Sequence, residues 1–67
     1  MKVKFYNLNN NDTKHDIIFL SLTTYASGKE EITVLFDGME YKAPVYFDYQ
    51  GRRSFKHAGK IYDFEIM

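Results

Sequence analysis

Asp37-Gly38 lies between two runs that alternate apolar and polar side chains, residues 31–36 and 39–44. An Asp-Gly step with such flanks is the strongest short-range signal for a β-hairpin. A type I′ turn needs φ > 0 at both central residues, and these two residue types tolerate it. A two-residue turn fixes the register. Phe36 then faces Met39, Val34 faces Tyr41 and Ile32 faces Ala43 on one side. Glu31–Pro44, Thr33–Lys42 and Leu35–Glu40 occupy the other. A slip of one residue would send every apolar side chain to the wrong face, so turn chemistry and alternation support the same pairing.

The chain has 67 residues and therefore one domain at most. A chain this short buries only roughly 60% of its unfolded surface, which leaves a lone core marginal. Cysteine is absent, so disulfides and thiolate metal sites are excluded as staples. Dense packing or oligomerisation remains. Six Phe and six Tyr point to an aromatic core. Nine basic and nine acidic residues balance to zero, which argues against a generic nucleic-acid coat. Lys2 and Lys4 are followed by alternation instead of an apolar signal region, and no apolar run approaches the ~20 residues of a membrane span. The expectation is a soluble, cytoplasmic protein with no membrane partner. Usage rich in Lys, Asn, Ile, Phe and Tyr suggests an AT-rich coding sequence and, with the short length, a phage or mobile-element origin.

Taken in order, residues 3–8 read as a first strand and the Asn-rich residues 7–14 as a loop. Residues 16–25, filled with β-branched and aromatic side chains, read as a second strand. Pairing it with the third strand across a turn at residues 26–29 sets Leu22 opposite Ile32, Leu20 opposite Val34 and Ile18 opposite Phe36. That register gathers Ile17, Phe19 and Leu35 on the opposite face. The fourth strand runs from Met39 to about Phe47. Pro44 interrupts it, and a bend there suits a strand that changes neighbours. Asp48-Tyr49-Gln50-Gly51 carries the type I signature, with Gly51 placed for a G1 bulge. Val45 then faces Phe55, Phe47 faces Arg53 and Ala43 faces His57. Ala58-Gly59 closes a last hairpin that sets Phe55 against Tyr62 and Arg53 against Phe64, although Ala is a poor first residue for a primed turn. The predicted fold is all-β: a small antiparallel meander of about six strands curled into a barrel-like sheet of the SH3-like or OB-like size class. Its core comprises Phe5, Ile18, Leu20, Leu22, Ile32, Val34, Phe36, Tyr41, Val45, Phe55, Tyr62 and Phe64.

Chemistry is sparse. His15 beside Asp16 is too little for a metal site and reads as a surface loop residue. Ser21, Ser27 and Ser54 have no catalytic motif around them, and the glycines are scattered singly in turns. A non-enzymatic chain without cofactor or metal is expected. The most informative polar stretch is residues 51–60, with five of the chain's eleven Lys, Arg and His residues and no acid. The candidate binding surface is Tyr46, Tyr49, Arg52, Arg53, Lys56, His57 and Lys60, where cations could hold carboxylates or phosphates beside stacking rings. The plain alternative is an edge hairpin protected by its charges, with Arg52 opposite Glu65. Ile17, Phe19 and Leu35 form the candidate self-association patch. The sequence thus leads to a small binding module for a protein partner, of the kind that inhibits or sequesters a host component. Nucleotide or nucleic-acid binding and a homo-oligomeric structural subunit are the alternatives.

Overall fold

A computed structural model describes residues 1–7 and 15–67. Among these residues there are seven strands: β1 (Val3–Asn7), β2 (Ile17–Thr24), β3 (Glu30–Phe36), β4 (Met39–Pro44), β5 (Tyr46–Phe47), β6 (Arg53–His57) and β7 (Lys60–Ile66). They form two antiparallel sheets, ordered β1-β7-β6-β5 and β2-β3-β4. No helix occurs among the described residues.

The β3–β4 hairpin has the register expected from its turn, pair for pair from Phe36–Met39 to Glu31–Pro44. Asp37 and Gly38 adopt φ of 51° and 86°, as a primed turn requires. The last hairpin repeats this geometry with Ala58 at 52° and Gly59 at 78°, and pairs Phe55 with Tyr62 and Arg53 with Phe64. The middle hairpin pairs Phe47 with Arg53, and the Gly51 amide donates to the Asp48 carbonyl at 2.9 Å. Its ladder ends at Tyr46–Ser54, so the expected pairs Val45–Phe55 and Ala43–His57 do not form, because the chain crosses to the other sheet at Val45 and Ala43 pairs with Ile32.

Three features depart from the sequence reading. First, the predicted fourth strand divides at Val45, which raises the count from six to seven. The Val45 amide donates to the Glu30 carbonyl at 2.9 Å, and beyond it the chain leaves β3 to pair with β6. Proline withholds its donor at that bend, as anticipated. Second, the chain is not a simple meander. β1 pairs with β7, setting Phe5 against Phe64 and Lys4 against Glu65, and the Met67 amide donates to the Lys2 carbonyl. No ladder joins β1 to β2 among the described residues, so the sheets share a core without closing into a barrel.

Third, a bulge between Phe19 and Ser21 splits the β2–β3 ladder. Leu22 faces Ile32 as expected. Below the bulge, Phe19 faces Val34 and Ile17 faces Phe36. Phe19 and Ile17 therefore pack against the core, while Ile18 and Leu20, placed in the core by the unbulged register, are exposed. The bulge lets a large ring replace aliphatic groups inside. It also brings Asp16 level with Asp37, whose amide donates to the Asp16 carbonyl at 2.8 Å.

The core consists of Ile32, Val34, Phe36 and Ala43 from one sheet, Phe55, Tyr62 and Phe64 from the other, and Val45 at the corner. Phe55 is fully buried and stacks on Tyr62 at 5.5 Å between centroids, with Phe5 and Phe36 edge-on to it. Such offset and edge-on pairs add to the area each ring buries. Phe5, Leu22 and Tyr41 flank this cluster, partly buried.

The two primed turns differ in one residue type. Left-handed backbone costs an alanine about 1 kcal/mol, whereas Asn and Asp adopt it with little penalty. Ala58→Asn is expected to stabilise the protein by about 0.5–1 kcal/mol. The check is a higher midpoint in urea denaturation with an unchanged slope.

Candidate functional site

The β5–β6 turn is built around the carboxylate of Asp48. Its Oδ1 accepts from the amides of Gln50 and Arg52 at 2.8 and 2.9 Å, and its Oδ2 accepts from Arg52 Nε at 3.0 Å. Across the turn's mouth the Asp48 amide donates to the Arg52 carbonyl. The hydrogen bond from the Arg52 amide leads in holding the Asp48 carboxyl below its ordinary range, with the Gln50 amide and the Arg52 guanidinium also contributing. This framework presents Tyr49 at the tip, 92% exposed.

Tyr46 and Phe47 are successive strand residues and point to opposite faces. Each ring has a cation over it. Lys56 Nζ is 5.3 Å from the Tyr46 centroid, and the Arg53 guanidinium is 5.2 Å from that of Phe47. Both rings remain nearly half exposed, at 46% and 47%. Arg53 also donates to Glu30 of β3, Nε to Oε1 at 2.7 Å and Nη2 to Oε2 at 3.3 Å. This two-pronged bridge joins the sheets at the margin of the core and draws the Glu30 carboxyl below its usual range. Arg53 is thus committed to a carboxylate of its own chain.

The seven residues singled out from the sequence do not converge on one point. Tyr46, Tyr49, Arg52 and Arg53 surround the turn, with Lys56 beside Tyr46. His57 and Lys60 face each other at the far end of the hairpin, roughly 13 Å along the strand from Arg53. There His57 stacks on Phe36 at 3.8 Å and meets the edge of Tyr41, whose hydroxyl donates to the Lys56 carbonyl at 2.8 Å. Arg52 pairs with Asp48, not with Glu65.

A second cluster was not legible in the sequence. His15 is no free loop residue. Its Nδ1 lies 2.8 Å from Asp37 Oδ2, and the amide of Asp16 donates to Asp37 Oδ1 at 2.9 Å. His15 also packs near Phe36 and Tyr62. Both histidines therefore flank Phe36, the residue before Asp37, although 42 positions separate them in sequence. The Asp16 amide, followed by His15, draws the Asp37 carboxyl below its ordinary range. Burial, aided by the Asp37 charge, pushes the Tyr62 hydroxyl up. The only sequence signal for this cluster was the turn itself, which fixes where Asp37 projects.

On the open face of the four-stranded sheet, a groove of about 360 Å³ is lined by Tyr6, Asp48, Arg52, Asp63, Phe64 and Glu65. Tyr6 donates to Glu65 at 2.8 Å. Burial raises the Asp63 carboxyl, Arg52 opposing and Asp48 reinforcing the shift. No group of three or more His, Cys, Asp or Glu among the described residues is arranged to hold a metal ion. The proposed self-association patch is also redistributed: Ile17 and Phe19 pack inward, while Leu35 pairs with exposed Ile18.

Comparison with known proteins adds no relative: no family model, curated protein or solved structure matches the chain. No helix among the described residues is long and apolar enough to cross a membrane.

The carboxylates generate opposite pH dependences. Glu30, Asp37 and Asp48 have folded values below their unfolded ones. Their contribution is present above the unfolded value, near pH 4, and is lost as pH falls through the folded values. Asp63 has a raised folded value, so its contribution is present below the unfolded value and lost as pH rises through the folded one. Asp63→Asn is therefore expected to raise the melting temperature at pH 7, with the gain shrinking towards about pH 4. Glu30→Gln is expected to lower it at pH 7, by about 1.5–3 kcal/mol in stability. Thermal melts of both variants from pH 3 to about pH 8 check the two signs.

Proposed function

We propose that this chain is a small, non-enzymatic protein-binding module whose contact surface is the β5–β6 turn. Tyr46, Phe47 and Tyr49 are its anchors, with Arg52 and Lys56 at the polar rim. The observation that carries this reading is the exposure of three aromatic residues within four positions, in a chain whose other large rings mostly line the core. Aromatic residues and Arg are enriched among the side chains that dominate binding energy. Tyr adds large contact area with few rotatable bonds. The cations over Tyr46 and Phe47 restrict those rings further, and the Asp48 hydrogen bonds hold the turn, so little ordering is left for the moment of binding.

The same surface suits a cytoplasmic inhibitor that occludes a host component by shape, in keeping with the coding usage. Nucleic-acid binding ranks lower. Arg52 and Arg53 already face carboxylates, and the neighbouring groove carries Asp48, Asp63 and Glu65. Phosphates approaching the turn would meet those acids as well as Lys56.

The test begins with a photo-crosslinking residue in place of Tyr49 to capture a partner, followed by titration of that partner with purified variants. Tyr49→Ala is expected to weaken binding at least tenfold, a loss of about 1.4 kcal/mol or more. Lys60→Ala, at the far end of the hairpin, is expected to leave it unchanged. Full affinity after joint replacement of Tyr46 and Tyr49 by Ala would reject the surface. A steep fall in affinity with salt, on a captured nucleic acid, would replace the protein reading with the nucleic-acid one.

A further inference from the structure

The two sheets have four edges, and three of them are guarded against further pairing. β5 has only two residues. β4 carries Glu40, Lys42 and Pro44. β1 is five residues long and carries Lys4. Short length, charge and proline are the usual protections of an exposed edge. β2 is different: its eight residues, IIFLSLTT, include no charge and no proline, and among the described residues only β3 pairs with it. On the face beside that edge, Ile18 and Leu20 are 47% and 44% exposed.

We propose that a second copy of this chain pairs antiparallel along the edge of β2 away from β3, giving a two-fold symmetric dimer. Self-complementarity selects this occupant. Pairing a strand with its own copy sets its side chains against one another. β2 carries no charge, so its own copy presents an equally uncharged edge and no repulsion opposes their pairing in any register.

The backbone also fits. Antiparallel ladders alternate residues that bond inward with residues that point outward. The Tyr25 amide bonds the Lys29 carbonyl, so Tyr25 and Thr23 face β3 while Thr24 and Leu22 point out. The Asp37 amide bonds the Asp16 carbonyl, so Asp16 and Ile18 face inward while Ile17 and Phe19 point out. The bulge absorbs the offset between these two sets. An antiparallel copy that sets Phe19 against the copy's Leu22 also sets Ile17 against the copy's Thr24. All four outward residues of each chain are then paired, with the bulges meeting at the two-fold axis. An edge of this length buries less than the roughly 800 Å² per partner of a standard interface, so the dimer is of micromolar strength. It is independent of the proposed partner surface, which lies in the other sheet.

The experiment is sedimentation equilibrium and native mass spectrometry across about 1–300 µM, a range that spans such a dissociation constant. The expected result is a monomer–dimer equilibrium. Leu20→Lys puts a charge on the edge without touching the core, and is expected to weaken the dimer at least tenfold. Thr24→Pro removes one outward donor at a position where an edge strand tolerates proline, and is expected to have the same effect in a folded chain. Amide exchange gives a reading without mutation: the Phe19, Leu22 and Thr24 amides slow as concentration rises. Tyr49→Ala leaves the dimer intact. A wild-type monomer throughout the range overturns the proposal. So does a dimer that survives Leu20→Lys, one that Tyr49→Ala dissolves, or one in which the Phe19, Leu22 and Thr24 amides exchange freely.

Discussion

The side chain of Asp37 sets more of this structure than any other single group. Its residue opens the primed turn that fixes the β3–β4 register. Its carboxylate then takes the Asp16 amide and the His15 imidazole, while its own amide returns a bond to the Asp16 carbonyl. That reciprocal clip sets where β2 begins alongside β3. Leu22, at the other end, is held opposite Ile32 by the turn at Tyr25. The stretch between contains one residue more than the partner strand can match, and the bulge at Leu20 accommodates it. Which of the apolar residues 17–20 are buried is thus decided by a hydrogen-bonded carboxylate several residues away. Hydrophobicity is similar for either choice.

Both arginines of the chain are engaged by its own carboxylates. Glu30 and Arg53 fasten the two sheets together at the margin of the core, and Asp48 shapes the turn that Arg52 closes. Residues 51–60 contain no acid in sequence, yet their arginines meet acids that lie outside the segment. A linear run of basic residues therefore overstates the positive surface. Net neutrality, visible from composition, was the better guide to this outcome than the run itself.

The legible parts of the fold were those governed by local rules. Asp37-Gly38, Asp48 to Gly51 and Ala58-Gly59 each dictate a register through backbone conformation; the first and last hairpins follow it throughout, the middle one only for the two pairs next to its turn. Pro44 marked the change of neighbours for the same reason. Residues 17–20 offered no such guide, because a continuous apolar run satisfies both parities of a strand equally. The partner of β1 was also hidden. A strand at one end of the chain pairs with one at the other through contacts that no local signal encodes, and the meander inferred from chain order failed there. Of the binding residues, the Tyr46–Lys56 grouping could be read from cross-strand spacing. The commitment of Arg53 to Glu30 and the meeting of His15 with Asp37 could not, since each joins segments more than twenty positions apart.

What the fold leaves unused is also informative. A 67-residue chain without disulfides depends on its rings for stability, and Phe36, Phe55, Tyr62 and Phe64 are accordingly buried. Tyr49 adds nothing to that cluster. Asp48 and Gly51 can form the same turn around almost any residue in its place, because the backbone and the Asp48 carboxylate supply the bonds. A large ring held out from a rigid turn exposes apolar surface with no compensating contact in the monomer. The placement of Tyr49 therefore has no account within the fold itself, and the proposed contact surface would give it one.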